Sequence, residues 1–106
     1  MPGSAFEAVV EPNRRRILDL LRTGDQSVGD LVGALDITQP TVSKHLKALR
    51  EAGLVEVRPQ AQRRYYRLQV EPLRELDAWL APYRTAWRDR LADLEQHLDR
   101  MAEEER

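Results

Sequence analysis

The chain predicts a mostly helical fold with one small β-hairpin, and three observations carry that reading. Residues 27–53 hold two short capped amphipathic helices in tandem, joined by a tight turn. Residues 54–58 and 63–68 alternate apolar and polar side chains, as two strands of a hairpin do. Residues 73–101 repeat apolar positions at steps of three and four, which is a long helix with one sticky face. Helix, turn, helix and then a hairpin is the layout of a winged helix-turn-helix, whose second helix enters the DNA major groove. At 106 residues the chain reads as one domain, with residues 12–70 as a DNA-binding core and 71–106 as C-terminal dimerisation helices.

The elements follow in order. Ala5 to Val10 form a short first helix. Pro12 suits the start of the next one, where its missing N–H costs nothing. Ile17, Leu18, Leu20 and Leu21 give that helix an apolar face, and Thr23-Gly24 stops it. Ser27 with Asp30 three residues on makes a capping box, and Leu31, Val32 and Leu35 are the buried stripe behind it. Asp36 falls in the turn, where Asp tolerates a left-handed backbone better than most residues. Ile37 anchors the turn inside. Thr38 caps the second helix and Pro40 lies in its first turn. Val42, Leu46 and Leu49 face the core, while Gln39, Ser43, Lys47 and Arg50 share the opposite face with Lys44 beside them. Gly53 ends the helix.

The two strands are joined by Pro59-Gln60-Ala61-Gln62, with Val55, Val57, Tyr66 and Leu68 facing inward. Glu71-Pro72 opens the last helix. Its seam runs through Leu73, Leu76, Leu80, Tyr83, Trp87, Leu91, Leu94, Leu98 and Met101, with Trp79 adding width and one four-residue stutter. Pro82 is expected to kink or split this helix near residue 81. A 70-residue head is too small to cover so long a seam, so the seam is expected to meet a second copy in a two-fold dimer.

The net charge of −1 hides an asymmetry. Residues 1–37 carry −2, residues 38–70 carry +5 and residues 71–106 carry −4. A basic middle between acidic flanks implies a localised phosphate-binding face. On that face Gln39, Thr41, Ser43 and Lys44 are the base-edge candidates: Gln pairs with adenine edges, Ser with several, and the Thr methyl suits thymine. Lys47 and Arg50 suit phosphates, which add affinity without reading sequence. Arg63 and Arg64 near the hairpin tip suit a flanking minor groove, and Tyr65 the backbone. His45, between the two faces of its helix, reads either as a phosphate contact or as a packed, hydrogen-bonded side chain. Arg67 reads as structural.

Residues 12–68 resemble the core of the ArsR-type, arsenic-repressor-like bacterial transcription factors. The matching segments are Pro12-Asn-Arg-Arg-Arg-Ile-Leu, the block from Thr38 through Gly53-Leu-Val, and Arg64-Tyr-Tyr-Arg-Leu. The resemblance implies a homodimer held by its first and last helices, autoregulatory repression, and half-site reading of an imperfectly palindromic operator by Gln39, Ser43 and Lys44. The tail, with Leu76-Asp-Ala-Trp-Leu-Ala-Pro-Tyr and Trp87 onward, looks like a metal-independent branch. Two positions depart from the family pattern. Asp36 stands for the usual turn Gly, and Ala61-Gln62 for the wing-tip Gly, which predicts a looser wing turn.

Metal-sensing relatives carry a Cys pair on the first helix of the motif or Asp and His on the last. This chain has no Cys, and Asp93, His97 and Asp99 make a poor zinc set, so no metal and no cofactor are expected. Trp79, Tyr83 and Trp87 read as dimer core, with a pocket for a small apolar effector at the seam as the less favoured alternative. The absence of a basic start with an apolar run, or of any long apolar span, argues for a cytoplasmic protein that meets no membrane. An enzyme is excluded: Ser43 and His45 point apart on one helix, and there is no Gly-rich phosphate loop. The rival is a winged-helix scaffold for protein contacts, which would not need seven cations in 33 residues.

Overall fold

The computed structural model describes residues 3–105. Its elements run α1 (Gly3–Val10), α2 (Pro12–Arg22), β1 (Gln26–Ser27), α3 (Val28–Leu35), α4 (Gln39–Glu51), β2 (Val55–Gln60), β3 (Arg63–Leu68) and α5 (Glu71–Glu104). The sheet has three antiparallel strands in the order β1-β3-β2. The hairpin is as expected; β1, only two residues long, has no periodicity to betray it. No helix among the described residues is long and apolar enough to cross a membrane.

Residues through Leu76 form one compact unit and those from Asp77 a second. In the first, Ile17, Leu31, Val42, Leu46, Leu49 and Leu54 are fully buried and fasten α2, α3, α4 and β2 around one core. Tyr66 and Val55 close it from the sheet. Ala5 and Ala8 seat α1 on this core through small side chains.

The helix ends are tied by groups that satisfy orphan N–H and C=O groups. Glu11 caps α2, its carboxylate accepting from the Arg14 N–H at 2.8 Å. The capping box on α3 is formed both ways, at 3.0 Å each: Ser27 N–H to the Asp30 carboxylate and Asp30 N–H to the Ser27 hydroxyl. Gly53, at φ 74°, donates to the Arg50 carbonyl at 2.9 Å and ends α4 in a conformation that favours glycine. Three successive arginines that carry no pattern in the sequence have separate structural tasks. Arg15 donates to the carbonyls of Val9 and Val10 at 2.7 and 2.9 Å, and Arg16 to that of Leu35 at 3.3 Å. Each places a cation on a helix C-terminus, where the dipole favours it. Arg14 turns to His45 (Nε to Nδ1, 3.4 Å).

Three expectations are corrected. Thr38 occupies the N-cap of α4 but makes no capping hydrogen bond; its hydroxyl pairs with that of Thr41 at 2.8 Å. Pro40 has removed one of the two N–H groups a cap would reach, and the neighbouring hydroxyl takes the interaction. The wing turn is tight. Gln60 pairs with Arg63, leaving a two-residue turn in which Ala61 adopts φ 57°. An L-residue is strained there, so Ala61→Gly is expected to stabilise the fold by about 1 kcal/mol in urea unfolding. Finally, α5 is not split at Pro82. Proline removes one N–H donor from the helix ladder. The Arg84 guanidinium reaches back across it to the Asp77 carbonyl at 3.2 Å and carboxylate at 2.6 Å.

The first turns of α5 belong to the head. Leu76 is buried and Leu73 packs against the core of its own chain, so neither is free for the two-fold seam expected of them. In the second unit the Trp79 and Tyr83 rings tilt against each other at 5.0 Å between centroids. Tyr83 and Trp87 are 58 % and 65 % exposed, and Leu80, Leu91, Leu94, Leu98 and Met101 continue an open apolar stripe.

Candidate nucleic-acid interface

The turn between α3 and α4 sets the angle of the two helices. Asp36 adopts the left-handed conformation (φ 55°, ψ 42°) and donates its N–H to the Val32 carbonyl, closing α3 in one residue. Half-buried Ile37 follows, and Pro40 starts α4 with its φ already helical. The helix then buries Val42, His45, Leu46 and Leu49. What remains outward is Gln39 and Ser43 near its start and Lys44, Lys47 and Arg50 further along, all exposed. Uncharged hydrogen-bonding groups lead and cations follow.

Thr41 is half-buried with its hydroxyl engaged by Thr38, which leaves it at the flank of this set. His45 leaves the set altogether. It is only 9 % exposed; Nδ1 accepts from Arg14, and Nε2 lies 3.7 Å from the Glu11 carboxylate. The phosphate role is corrected in favour of packing, because the step from Val42 to Leu46 and Leu49 turns position 45 toward α2. Nothing in the sequence said which residues of α2 would receive it.

The wing brings its own cations. Register alternation places Val55, Val57, Tyr66 and Leu68 on the core side and Arg58, Gln60, Arg63, Tyr65 and Arg67 on the other. Arg64 lies opposite Pro59 close to the tip and is exposed. Arg58, directly across from Tyr65, is a cation of this surface that sequence reading passed over. The signal was available: alternation through residues 54–58 turns Arg58 outward with Glu56.

Arg67 is structural, as expected. It makes two hydrogen bonds to the Asp25 carboxylate, at 3.1 and 3.0 Å, and ties the segment before β1 to β3. These bonds hold the Asp25 carboxyl below the usual carboxylate range. A lowered folded-state pKa contributes stability above the unfolded value and loses it as pH falls through the folded one. The clasp is therefore expected to be whole at neutral pH and to open only in acid, with the Asp25 carboxyl titrating below an ordinary Asp by NMR. The Ser27 N–H and then its hydroxyl lower Asp30 in the same way. A cleft of about 380 Å³ runs between this capped α3 start and Arg63 and Arg64. Among the described residues no group of three or more His, Cys, Asp or Glu side chains gathers to hold a metal ion.

The chain is similar to known proteins in sequence and in fold. The profile of the arsR family of bacterial regulatory proteins matches residues 11–57. The transcriptional repressor SdpR of Bacillus subtilis (strain 168) is 35 % identical over 78 residues, which span 74 % of this chain and 87 % of SdpR. The arsenical resistance operon repressor of Escherichia coli (strain K12) is 38 % identical over 90 residues, 83 % of this chain and 74 % of that protein. Among solved structures, an ArsR-like transcriptional regulator from Rhodococcus sp. RHA1 superposes with a TM-score of 0.71 at 32 % identity, covering 90 % of both chains. The homodimeric winged helix-turn-helix DNA-binding domain Mb0332 (fragment 1–100) from Mycobacterium bovis superposes with a TM-score of 0.64 at 32 % identity, over 78 % of this chain and 77 % of that one.

Proposed function

The chain belongs to the ArsR family of bacterial transcriptional regulators, and from that premise we propose that it acts as a homodimeric repressor on an imperfectly palindromic operator. One observation supports this above the rest. Gln39 and Ser43 stand exposed one turn apart at the head of α4, with Lys44, Lys47 and Arg50 beyond them and the opposite face locked in the core. Gln39, Ser43 and Lys44 read base edges, with Thr41 at their margin. Lys47, Arg50, Arg63, Arg64 and Tyr65 hold the backbone, and Arg58 joins them.

The stripe formed by Leu80, Tyr83, Trp87, Leu91, Leu94 and Leu98 meets its counterpart in the second copy, with Trp79 at its edge. Two copies related by a two-fold axis present two α4 helices to two half-sites one helical turn apart. Regulation without a metal ion fits the donor set: there is no Cys, and His97 has Asp93 and Asp99 beside it on one helix. DNA as the partner places the protein in the bacterial cytoplasm.

The test is fluorescence anisotropy with the duplex upstream of its own gene against a random duplex, across several salt concentrations. Specific binding with a slope of several released ions is expected. Gln39→Ala is expected to cost about 1–3 kcal/mol on the specific duplex and almost nothing on the random one. Lys47→Ala is expected to weaken both alike and lower the salt slope by about one. Equal losses for Gln39→Ala on the two duplexes would falsify the base-reading role. No binding even at low salt would favour the scaffold.

A further inference from the structure

We propose that Lys47 is an acyl-acceptor site, at which an acyl phosphate transfers its acyl group to the ε-amine and so removes a cation from the exposed face of α4. The site stands on its own geometry; only its consequence for DNA affinity rests on the DNA reading. Of the 17 lysines and arginines in the chain only two, Lys44 and Lys47, are lysines. Both stand exposed on α4. The other cations are guanidiniums, which stay protonated and make no nucleophile. The side-chain amines are therefore confined to the helix face proposed to meet DNA.

Lys47 shares a shallow hollow of about 330 Å³ with Arg50 and Glu51. Positions three and four apart on a helix are neighbours, about 5–6 Å between Cβ atoms, so both residues stand beside the amine. None of the three side chains makes a hydrogen bond or ion pair with any described residue. Local stability does not account for Glu51. A carboxylate at a helix C-terminus opposes the dipole, and lysine four residues before glutamate is the weaker order for a helix ion pair. Lys44 does not line the hollow and serves as a reference amine on the same helix.

The three groups divide the work of acyl transfer. The planar fork of Arg50 holds the donor's phosphate by paired hydrogen bonds. The Glu51 carboxylate takes one proton from the Lys47 ammonium, and the freed amine attacks the acyl carbon. A C–N bond forms as the C–O bond to phosphate breaks, and the second proton leaves with the phosphate. An ammonium and acetyl phosphate thus become an acetamide, hydrogen phosphate and one proton, with nothing oxidised or reduced. The product is neutral and has lost the ammonium donors that suit a DNA phosphate.

Acetyl phosphate is the probe, and acetic anhydride, which brings no phosphate for Arg50 to hold, is its control. Each is incubated with the full chain, and acetylation of Lys47 and Lys44 is followed by peptide mass spectrometry. Acetyl phosphate is expected to modify Lys47 several-fold faster than Lys44, with a smaller preference from the anhydride. Arg50→Gln is expected to bring the acetyl phosphate preference down to the anhydride level and leave the anhydride one where it was. A variant that unfolds would lose the preference with both reagents, so the pair separates the two causes. Glu51→Gln is expected to slow Lys47 alone. Equal rates at Lys44 and Lys47 with acetyl phosphate overturn the site, and a preference that survives Arg50→Gln overturns the docked donor. In anisotropy, the acetylated chain is expected to bind the operator about tenfold more weakly, with the salt slope lower by about one, and bound operator is expected to shield Lys47. Undiminished operator affinity after acetylation overturns the effect on DNA. An untreated chain that binds no operator tells against the repressor reading alone, since the rates at Lys47 and Lys44 are measured without DNA.

Discussion

A chain carrying Leu94→Glu together with Leu98→Glu is expected to sediment as a monomer and to bind its operator about two to four orders of magnitude more weakly. Leu94 and Leu98 are 51 % and 54 % exposed within one chain, on a helix whose apolar stripe extends from Leu80 to Met101. A stripe of that length has little reason to face water and good reason to face a copy of itself. Two carboxylates in its middle would have to be buried unpaired on dimerisation, which costs more than the contact returns. The head has its own core, which residues up to Leu76 complete, so it is expected to stay folded. The large effect comes from linkage. When one half-site is bound, a dimer presents its second α4 at high effective concentration, and a monomer presents none. Sedimentation equilibrium and anisotropy on the same samples check the two halves. A double variant that remains dimeric would sink the proposed seam. A monomer with undiminished affinity would show that one head suffices.

Leu46→Ala is expected to destabilise the head by about 2–5 kcal/mol. Leu46 is 1 % exposed and shares the core with Ile17, Leu31, Leu49 and Leu54. Removing its branched end takes apolar surface out of the core and leaves a cavity that three helices and a sheet cannot all close upon. Domains of this kind have only about 5–15 kcal/mol in total, so the variant should unfold at much lower urea and lose DNA binding with the seat of α4. Lys47→Ala, one position further along, is the control. Lys47 is exposed, and its loss is expected to move the urea midpoint hardly at all while weakening DNA binding. A Leu46→Ala cost below 1 kcal/mol would mean that α4 is not held as described.

Much of this architecture was legible in the chain because it rests on local rules. Ser27 and Asp30 can make a capping box wherever they stand three apart before an apolar run, and here they do. Asp36 in the left-handed turn, the inward set Val42, Leu46 and Leu49, and the split of Tyr65 outward from Tyr66 inward follow from residue type and periodicity. Where rules competed, local reading went astray. Thr38 is the right residue for a cap, but Pro40 and Thr41 changed what it could bond. Ala61 is the wrong residue for a tight turn, but the pairing of Val55 with Leu68 through Gln60 with Arg63 is extensive enough to hold it there. Pro82 is a helix breaker by rule, yet α5 runs through it from Glu71 to Glu104.

The sequence by itself determined the order of the helices and the hairpin, the exposed polar face of α4 and the apolar stripe of α5 from Leu80 onward, because each depends on neighbours within a few positions along the chain. Tertiary structure alone decided the fate of residues whose partners are far away in sequence. It decided His45, open between a phosphate contact and a packed side chain, as a packed partner of Arg14 and Glu11, gave Arg16 to the end of α3, tied Arg67 to Asp25 across 42 positions, and brought Val9, Leu18, Leu68 and Leu73 around one cleft. The physical reason is the same in each case. Periodicity says which side of an element is buried, but only packing in three dimensions says against what.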